Sequence, residues 1–117
     1  MGLSTHVLDT MHGTPAAGMA VTLFATNGEA AQCLKQIVLN HDGRNPDGLL
    51  LSATELQRGT YRLVFEVAAY FKALGVVLPE PNFLDRVSLD FGVANPAQHY
   101  HVPLLVSPWS YSTYRGS

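Results

Sequence analysis

The sequence predicts an all-β protein, a two-sheet sandwich of seven or eight strands with one short helix. Runs of four to eight residues rich in β-branched and aromatic side chains recur along the whole chain, separated by Gly, Pro, Asn and Asp. Several of these runs alternate apolar and polar residues, as half-buried strands do. Only one stretch is rich in helix formers. With 117 residues the chain has the length of one ordinary domain, and residues 1–117 are expected to form a single core.

The first strand is "LSTHVLD" (3–9), with Leu3, Thr5 and Val7 on one face and Ser4, His6 and Leu8 on the other. "HGTPAAG" turns the chain. "MAVTLFAT" (19–26) is the second strand and "QCLKQIVLN" (32–40) the third, in which Cys33, Lys35, Ile37 and Leu39 oppose Leu34, Gln36 and Val38. "HDGRNPDG" (41–48) is a loop of turn residues with Asp-Gly twice. "LLLSATELQRG" (49–59) reads as a short strand and a polar turn. "TYRLVFEV" (60–67) is a strand with Tyr61, Leu63, Phe65 and Val67 on one face. "AAYFKALG" (68–75) is the helix, with Gly75 as its C-terminal cap. Prolines make "VLPEPN" a loop. "RVSLDFGV" (86–93) and "YHVPLLVS" (100–107) follow as strands, with Pro103 predicting an edge position or a bulge in the latter. A turn at Ser107-Pro108 leads into "SYSTYRG" (110–116), the last strand. Subunit pairing through strand edges would protect the open sides of the sheets.

The formal net charge of −2 and the scattering of the seven cationic residues argue against nucleic acid as a partner. No stretch approaches the roughly 18 apolar residues of a membrane helix, and "MGLSTHVLD" lacks the charged start and apolar middle of a secretory signal. A soluble, cytoplasmic protein with no membrane partner is expected. The single cysteine, Cys33, cannot form an internal disulfide and is read as a small core residue beside Leu34.

Five histidines and two arginines carry the candidate chemistry. His99 and His101 are two apart on a strand and should share a face; that spacing is a metal half-site in form, but no third ligand stands at a telling distance. His6 lies on the first strand, and His12 and His41 lie in turn-rich segments where solvent is expected to surround them. Arg44 sits in a loop whose glycines allow close backbone approach to a ligand, or it is simply a solvated loop arginine. Arg115 could grip a carboxylate or a polarised carbonyl, or pair with a surface acid. Ser117 has a hydroxyl beside its own carboxylate, a place for chemistry only if a histidine stands next to it.

"LSTHVLDTMHGTPAAGMAVTL", "GTYRLVFEVAAYF" and "HYHVPLLVSPWSYSTYRGS" together resemble, over the full length, the transthyretin-related proteins that act as 5-hydroxyisourate hydrolases. The "YRGS" terminus is the most specific element, since it separates the enzymes of that family from its hormone carriers. The resemblance implies a transthyretin-like sandwich with a short helix after the fifth strand. It implies hydrolysis of 5-hydroxyisourate at the N1–C6 amide to 2-oxo-4-hydroxy-4-carboxy-5-ureidoimidazoline, a step of urate degradation, with no metal or other cofactor. It also implies a homotetramer, a dimer of dimers, whose channel is lined by His6, Arg44, the "HYH" strand and the Tyr-Arg-Gly-Ser tail. By the same resemblance His6 and His101 orient and deprotonate water, with His99 contributing; Arg44 holds the carbonyl oxygen or the polar edge of the substrate; Tyr114 and Ser117 position substrate or water; and Arg115 acts with them or anchors the tail. His41, where a small or acidic residue is more usual, and the long "ALGVVLPEPNFLDRVSLDF" connection depart from the family pattern. Two other readings share the fold: a carrier of a small ligand in the same channel, and a non-catalytic β-sandwich module of an assembly.

Overall fold

A computed structural model describes residues 1–28 and 30–117. Its strands form two sheets. One joins β1 (Gly2–Asp9), β2 (Thr14–Pro15), β5 (Leu51–Ser52), β8 (Tyr100–Val106) and β9 (Tyr111–Thr113), in the order β2-β1-β8-β9 with β5 paired to β1. The other has the order β4-β3-β6-β7, from β3 (Ala20–Ala25), β4 (Gln32–Val38), β6 (Gly59–Glu66) and β7 (Arg86–Val93). The four-stranded sheet is antiparallel throughout, whereas β1 and β8 run parallel, from Leu3 opposite Tyr100 to Asp9 opposite Val106.

Alternation places the core between the sheets. Leu3, Thr5 and Val7 of β1 are buried, as are Val21 and Leu23 of β3, Tyr61, Leu63 and Phe65 of β6, and Val102 and Leu104 of β8. Ser4, His6 and Leu8 are left on the opposite face of β1, only partly covered. The transthyretin-like sandwich is therefore present, with one short helix, seven strands of three or more residues and two of two residues among the described residues.

The helix α1 (Val67–Ala73) buries Val67, Ala68, Tyr70 and Phe71, one face at helical spacing. It ends as the sequence indicates. Gly75 adopts φ 85°, its N–H bonds to the Lys72 carbonyl at 2.9 Å, and the Val76 N–H reaches the Phe71 carbonyl at 3.1 Å. This paired closure uses carbonyls that the helix leaves free and needs a residue tolerant of positive φ.

Four expectations need correction. Cys33 is exposed rather than in the core. The β3–β4 register shifts between Leu23, opposite Lys35, and Phe24, opposite Cys33, so Leu34 is an extra residue in β4. That bulge breaks the alternation, and Cys33 joins Thr22, Phe24 and Gln36 on the outer face. Pro103 lies in β8, which has neighbours on both sides, so it is not on an edge strand. The His101–Gly116 bridge and the Leu104–Thr113 pair share one register, in which Pro103 opposes Tyr114 and cannot donate to it. The ladder opens there, and the Thr113 hydroxyl donates to the Pro103 carbonyl instead, at 2.7 Å. The last strand is accordingly only Tyr111–Thr113 rather than 110–116. Finally, the His12 ring is not free in solvent: its Nδ1 lies 2.6 Å from Oδ2 of Asp9.

That carboxylate ties the end of β1 to the helix. Asp9, 1% exposed, accepts from the His12 main-chain N–H at 2.9 Å, from the His12 ring, and from the Tyr70 hydroxyl at 2.8 Å. Burial alone would raise its pKa, but these bonds outweigh burial and hold the carboxyl below its ordinary value. A depressed folded-state pKa contributes stability that is present above the unfolded value of about 3.9. It is lost as pH falls through the lower folded value. Tyr70→Phe is expected to lower the unfolding free energy at pH 7 by about 1.5–3 kcal/mol, the worth of a hydrogen bond to a charged group. In urea titrations that deficit should shrink at about pH 3 and below, and an equal deficit at pH 7 and pH 2 would show that Asp9 ionisation is not what Tyr70 serves.

Candidate functional site

The uncovered face of the five-stranded sheet gathers the histidines. In the β1–β8 ladder Ser4 stands opposite His101 and His6 opposite Pro103. His99 precedes β8 and turns its ring to the same side, because the Ser4 hydroxyl lies 3.1 Å from His99 Nε2 and 2.8 Å from His101 Nδ1. The shared face expected for the His99–His101 pair is thus present, with a serine rather than a third metal ligand between them. Among the described residues no three His, Cys, Asp or Glu side chains are grouped to hold a metal ion.

Arg44 reaches this face through the 41–48 loop. Asn40 organises that loop by accepting the N–H groups of Asp42 and Arg44 at 2.9 and 3.1 Å. Gly43, at φ 72°, offers its carbonyl to the Val7 N–H at 2.9 Å. A Cβ on Gly43 would stand 2.4 Å from the Val7 carbonyl oxygen. Gly43 thus makes its close approach to the protein's own β1, next to His6. Its effect is to deliver Arg44.

The electrostatics follow from this crowding. Burial lowers the His6 pKa and the Arg44 charge lowers it further, while contact with the main chain and carboxylate of Asp42 pulls it partly back. Burial likewise lowers the His101 pKa, assisted by Arg44, His6 and His99. Lowered from 6.5, both pKa values favour the neutral imidazole at pH 7, so that each ring can accept a proton beside the Arg44 charge.

The tail is fastened to the same strand. His101 and Gly116 exchange main-chain hydrogen bonds at 3.2 and 2.8 Å, and a Cβ on Gly116 would lie 3.1 Å from the His101 ring carbon Cδ2. Glycine is what lets the chain lie against that ring, and Ser117 follows it directly. Arg115 turns elsewhere: its Nη2 donates to Gln98 Oε1 and to the His99 carbonyl, both at 3.2 Å, and its guanidinium lies 4.3 Å above the Tyr100 ring. Of the two roles implied for Arg115, the anchoring one is engaged here. Tyr114 and Arg115 border a cavity of about 320 Å³ with Leu89, Phe91, Tyr100 and Val102. Those walls do not include His6, Arg44 or His101. The fold therefore brings His6, Arg44, His99 and His101 together with the end of the tail, where Tyr114 stands opposite Pro103 in register and Arg115 turns toward Gln98 and Tyr100. His41 is exposed, as expected of a turn residue.

Sequence reasoning passed over three contributors. Ser4 shares the strand face of His6 by simple alternation, and that was the available signal. Asp42 and Gln98 act through loop geometry, which no spacing announces.

Comparison with known proteins agrees with this architecture. The model of the HIUase/Transthyretin family matches residues 3–116. A 5-hydroxyisourate hydrolase of Ralstonia nicotianae is 56% identical, the match covering 98% of this chain and 97% of that protein. Among solved structures, (S)-allantoin synthase superposes with a TM-score of 0.93 at 45% identity, over 99% of this chain but only 43% of its own. Klebsiella pneumoniae 5-hydroxyisourate hydrolase gives 0.79 at 36%, covering all of both chains. Sea bream transthyretin, solved with thyroxine, gives 0.85 at 27%, over 99% of this chain and 95% of its own. With a family model spanning nearly every residue and near-full-length relatives at such identity, the chain belongs to the HIUase/Transthyretin family.

Proposed function

We propose that this chain hydrolyses 5-hydroxyisourate, opening the six-membered ring at its amide to give 2-oxo-4-hydroxy-4-carboxy-5-ureidoimidazoline. The observation that carries the reading is the gathering of the His6 and His101 imidazoles beside Arg44 on one sheet face, where burial and the Arg44 charge lower both pKa values. Relatives named for this activity support the substrate. An imidazole that is neutral at pH 7 takes the proton of an attacking water, and a fixed cation stabilises the oxyanion that forms on the carbonyl. His101 is the base, His6 orients the water or the ring, and Arg44 holds the oxygen. Ser117 and Tyr114 contact substrate or water at the rim. Arg115 serves the site by clamping the tail. No step in this scheme calls on a cofactor.

The same reading takes residues 1–117 as one domain, acting in the cytoplasm as a homotetramer, a dimer of dimers. The eight-residue β7 ends its sheet with no strand beyond it among the described residues, and such an edge suits pairing with a second copy. The His-bearing face is open in one chain, and stacking of two dimers would enclose it.

The direct test generates 5-hydroxyisourate with urate oxidase and follows its absorbance with and without the protein. Decay faster than spontaneous breakdown, with the ring-opened carboxylate appearing, is expected; an unchanged decay would overturn the hydrolase reading in favour of a ligand carrier. His101→Asn and Arg44→Ala should each lower kcat/KM by about 10²-fold or more while leaving the fold intact. Because the His6 and His101 pKa values are lowered from 6.5, the basic form persists through neutral pH. The kcat/KM profile should be flat near pH 7 and fall only as pH drops below about 6.5; an acid limb centred above 7 would contradict the assignment. Gly116→Ala would press a Cβ to 3.1 Å from the His101 ring, so that the ring must shift by a few tenths of an ångström; a lower rate with little change in Tm is expected, measured by thermal unfolding beside the rate.

A further inference from the structure

The Ser4 hydroxyl sits between two imidazoles, 3.1 Å from His99 Nε2 and 2.8 Å from His101 Nδ1. A hydroxyl has one proton and two acceptor sites, so Ser4 donates to at most one of the two ring nitrogens and accepts from any ring N–H turned toward it. Where it donates to one ring and accepts from the other, the tautomers of the two rings are coupled. If Ser4 donates to His99, the proton of His101 is on Nδ1 and that of neutral His99 is also on Nδ1. If Ser4 donates to His101, both rings carry their proton on Nε2. The main chain leaves little freedom to escape this coupling: Ser4 is locked opposite His101 by the β1–β8 ladder, and His101 is bridged on its other side to Gly116.

We propose that Ser4 is a positioning residue of the hydrolytic site, joining His101 to His99 in a proton relay that turns a bare His101 Nε2 toward the attacking water. The inference rests on the hydrolase reading given above. At rest the His101 Nδ1–H donates to Ser4 Oγ, and the Ser4 O–H donates to His99 Nε2. When water adds to the carbonyl, its oxygen forms the new C–O bond and its proton goes to His101 Nε2. The Nδ1 proton then passes to Ser4 Oγ as the Ser4 proton passes to His99 Nε2. His101 is left neutral with its proton on Nε2, and the positive charge rests on His99. When the ring C–N bond breaks, His101 Nε2 gives its proton to the departing nitrogen. The relay runs back, from His99 to Ser4 and from Ser4 to Nδ1, and the resting state is restored.

Burial first, then Arg44 from the 41–48 loop, His6 from β1 and His99 itself oppose positive charge on His101; the Asp42 carboxylate lies beside His6. From the tail, Arg115 holds the His99 main-chain carbonyl at 3.2 Å, which fixes where the far end of the relay stands. A serine linking two histidines gives the base a path along which a proton can pass.

The test combines spectra of the substrate-free protein with kinetics of Ser4→Ala and Ser4→Thr. Imidazole ¹⁵N–¹H spectra at pH 7 should find His99 and His101 both protonated on Nδ1, and Ser4→Ala should release that agreement. Ser4→Ala is expected to lower kcat by about 10-fold or more with KM little changed, and to move the acid limb of the pH profile. Ser4→Thr, which keeps the hydroxyl, should recover most of the rate. Protonation of His101 on Nε2 in the wild-type spectrum would overturn the relay, whatever the activity. So would a Ser4→Ala enzyme with wild-type kcat and pH profile. A wild-type protein that fails to hydrolyse 5-hydroxyisourate would remove the hydrolase reading instead, and the spectra would still decide whether Ser4 couples the two rings.

Discussion

The parallel pairing of β1 with β8 is the constraint on which the rest depends. It sets side by side two segments 97 residues apart in sequence, reinforced on the buried side by the Thr5 hydroxyl donating to the Val102 carbonyl at 2.7 Å. Alternate residues of both strands are committed to the core: Leu3, Thr5 and Val7 from one, Val102 and Leu104 from the other. The residues between them have no choice but the opposite face, and those include Ser4, His6 and His101. A slip of one residue would bury His6 and expose Leu3 and Val7. The hydrophobic core therefore fixes the polar site with the same precision that it fixes itself.

β1 carries two polar centres of opposite character. Near its middle, burial and then the Arg44 charge lower the pKa values of His6 and His101, against the pull of Asp42 on His6, and leave both imidazoles able to take a proton. At its end, a buried carboxylate is surrounded by donors and remains ionised. The first arrangement leaves bonding capacity unused, as reactive groups require. The second uses it up, as a fastening between strand and helix should.

What the sequence made legible was whatever repeats with the strand period. The inward residues of β1 and β6, the cap at Gly75 and the common face of the two histidines in "HYH" all follow from spacing alone. Most of the failures have a shared cause, a neighbour distant in sequence; the exception is His12, whose partner Asp9 lies only three residues before it. The bulge at Leu34 depends on the register with β3 and turns Cys33 outward. Pro103 is tolerated inside a sheet because the partner segment opens at Tyr114. Gly43 serves contact with β1, although its own loop gives no sign of that target. Ser4 looks like any strand serine until His99 and His101 arrive beside it, and Arg115 looks like a ligand-binding arginine until Tyr100 and Gln98 are placed beneath it.

The distance between β1 and β8 along the chain also governs the order of events during synthesis. β1 is made early and stays without its parallel partner until nearly a hundred further residues have followed. Its apolar face meanwhile has only local neighbours to cover it, and closing so long a loop is entropically slow. The last residues to leave the ribosome in this stretch are those that lie against His101. A nascent chain can thus fold its four-stranded sheet, whose strands all lie between residues 20 and 93, well before it can assemble anything able to act on a substrate.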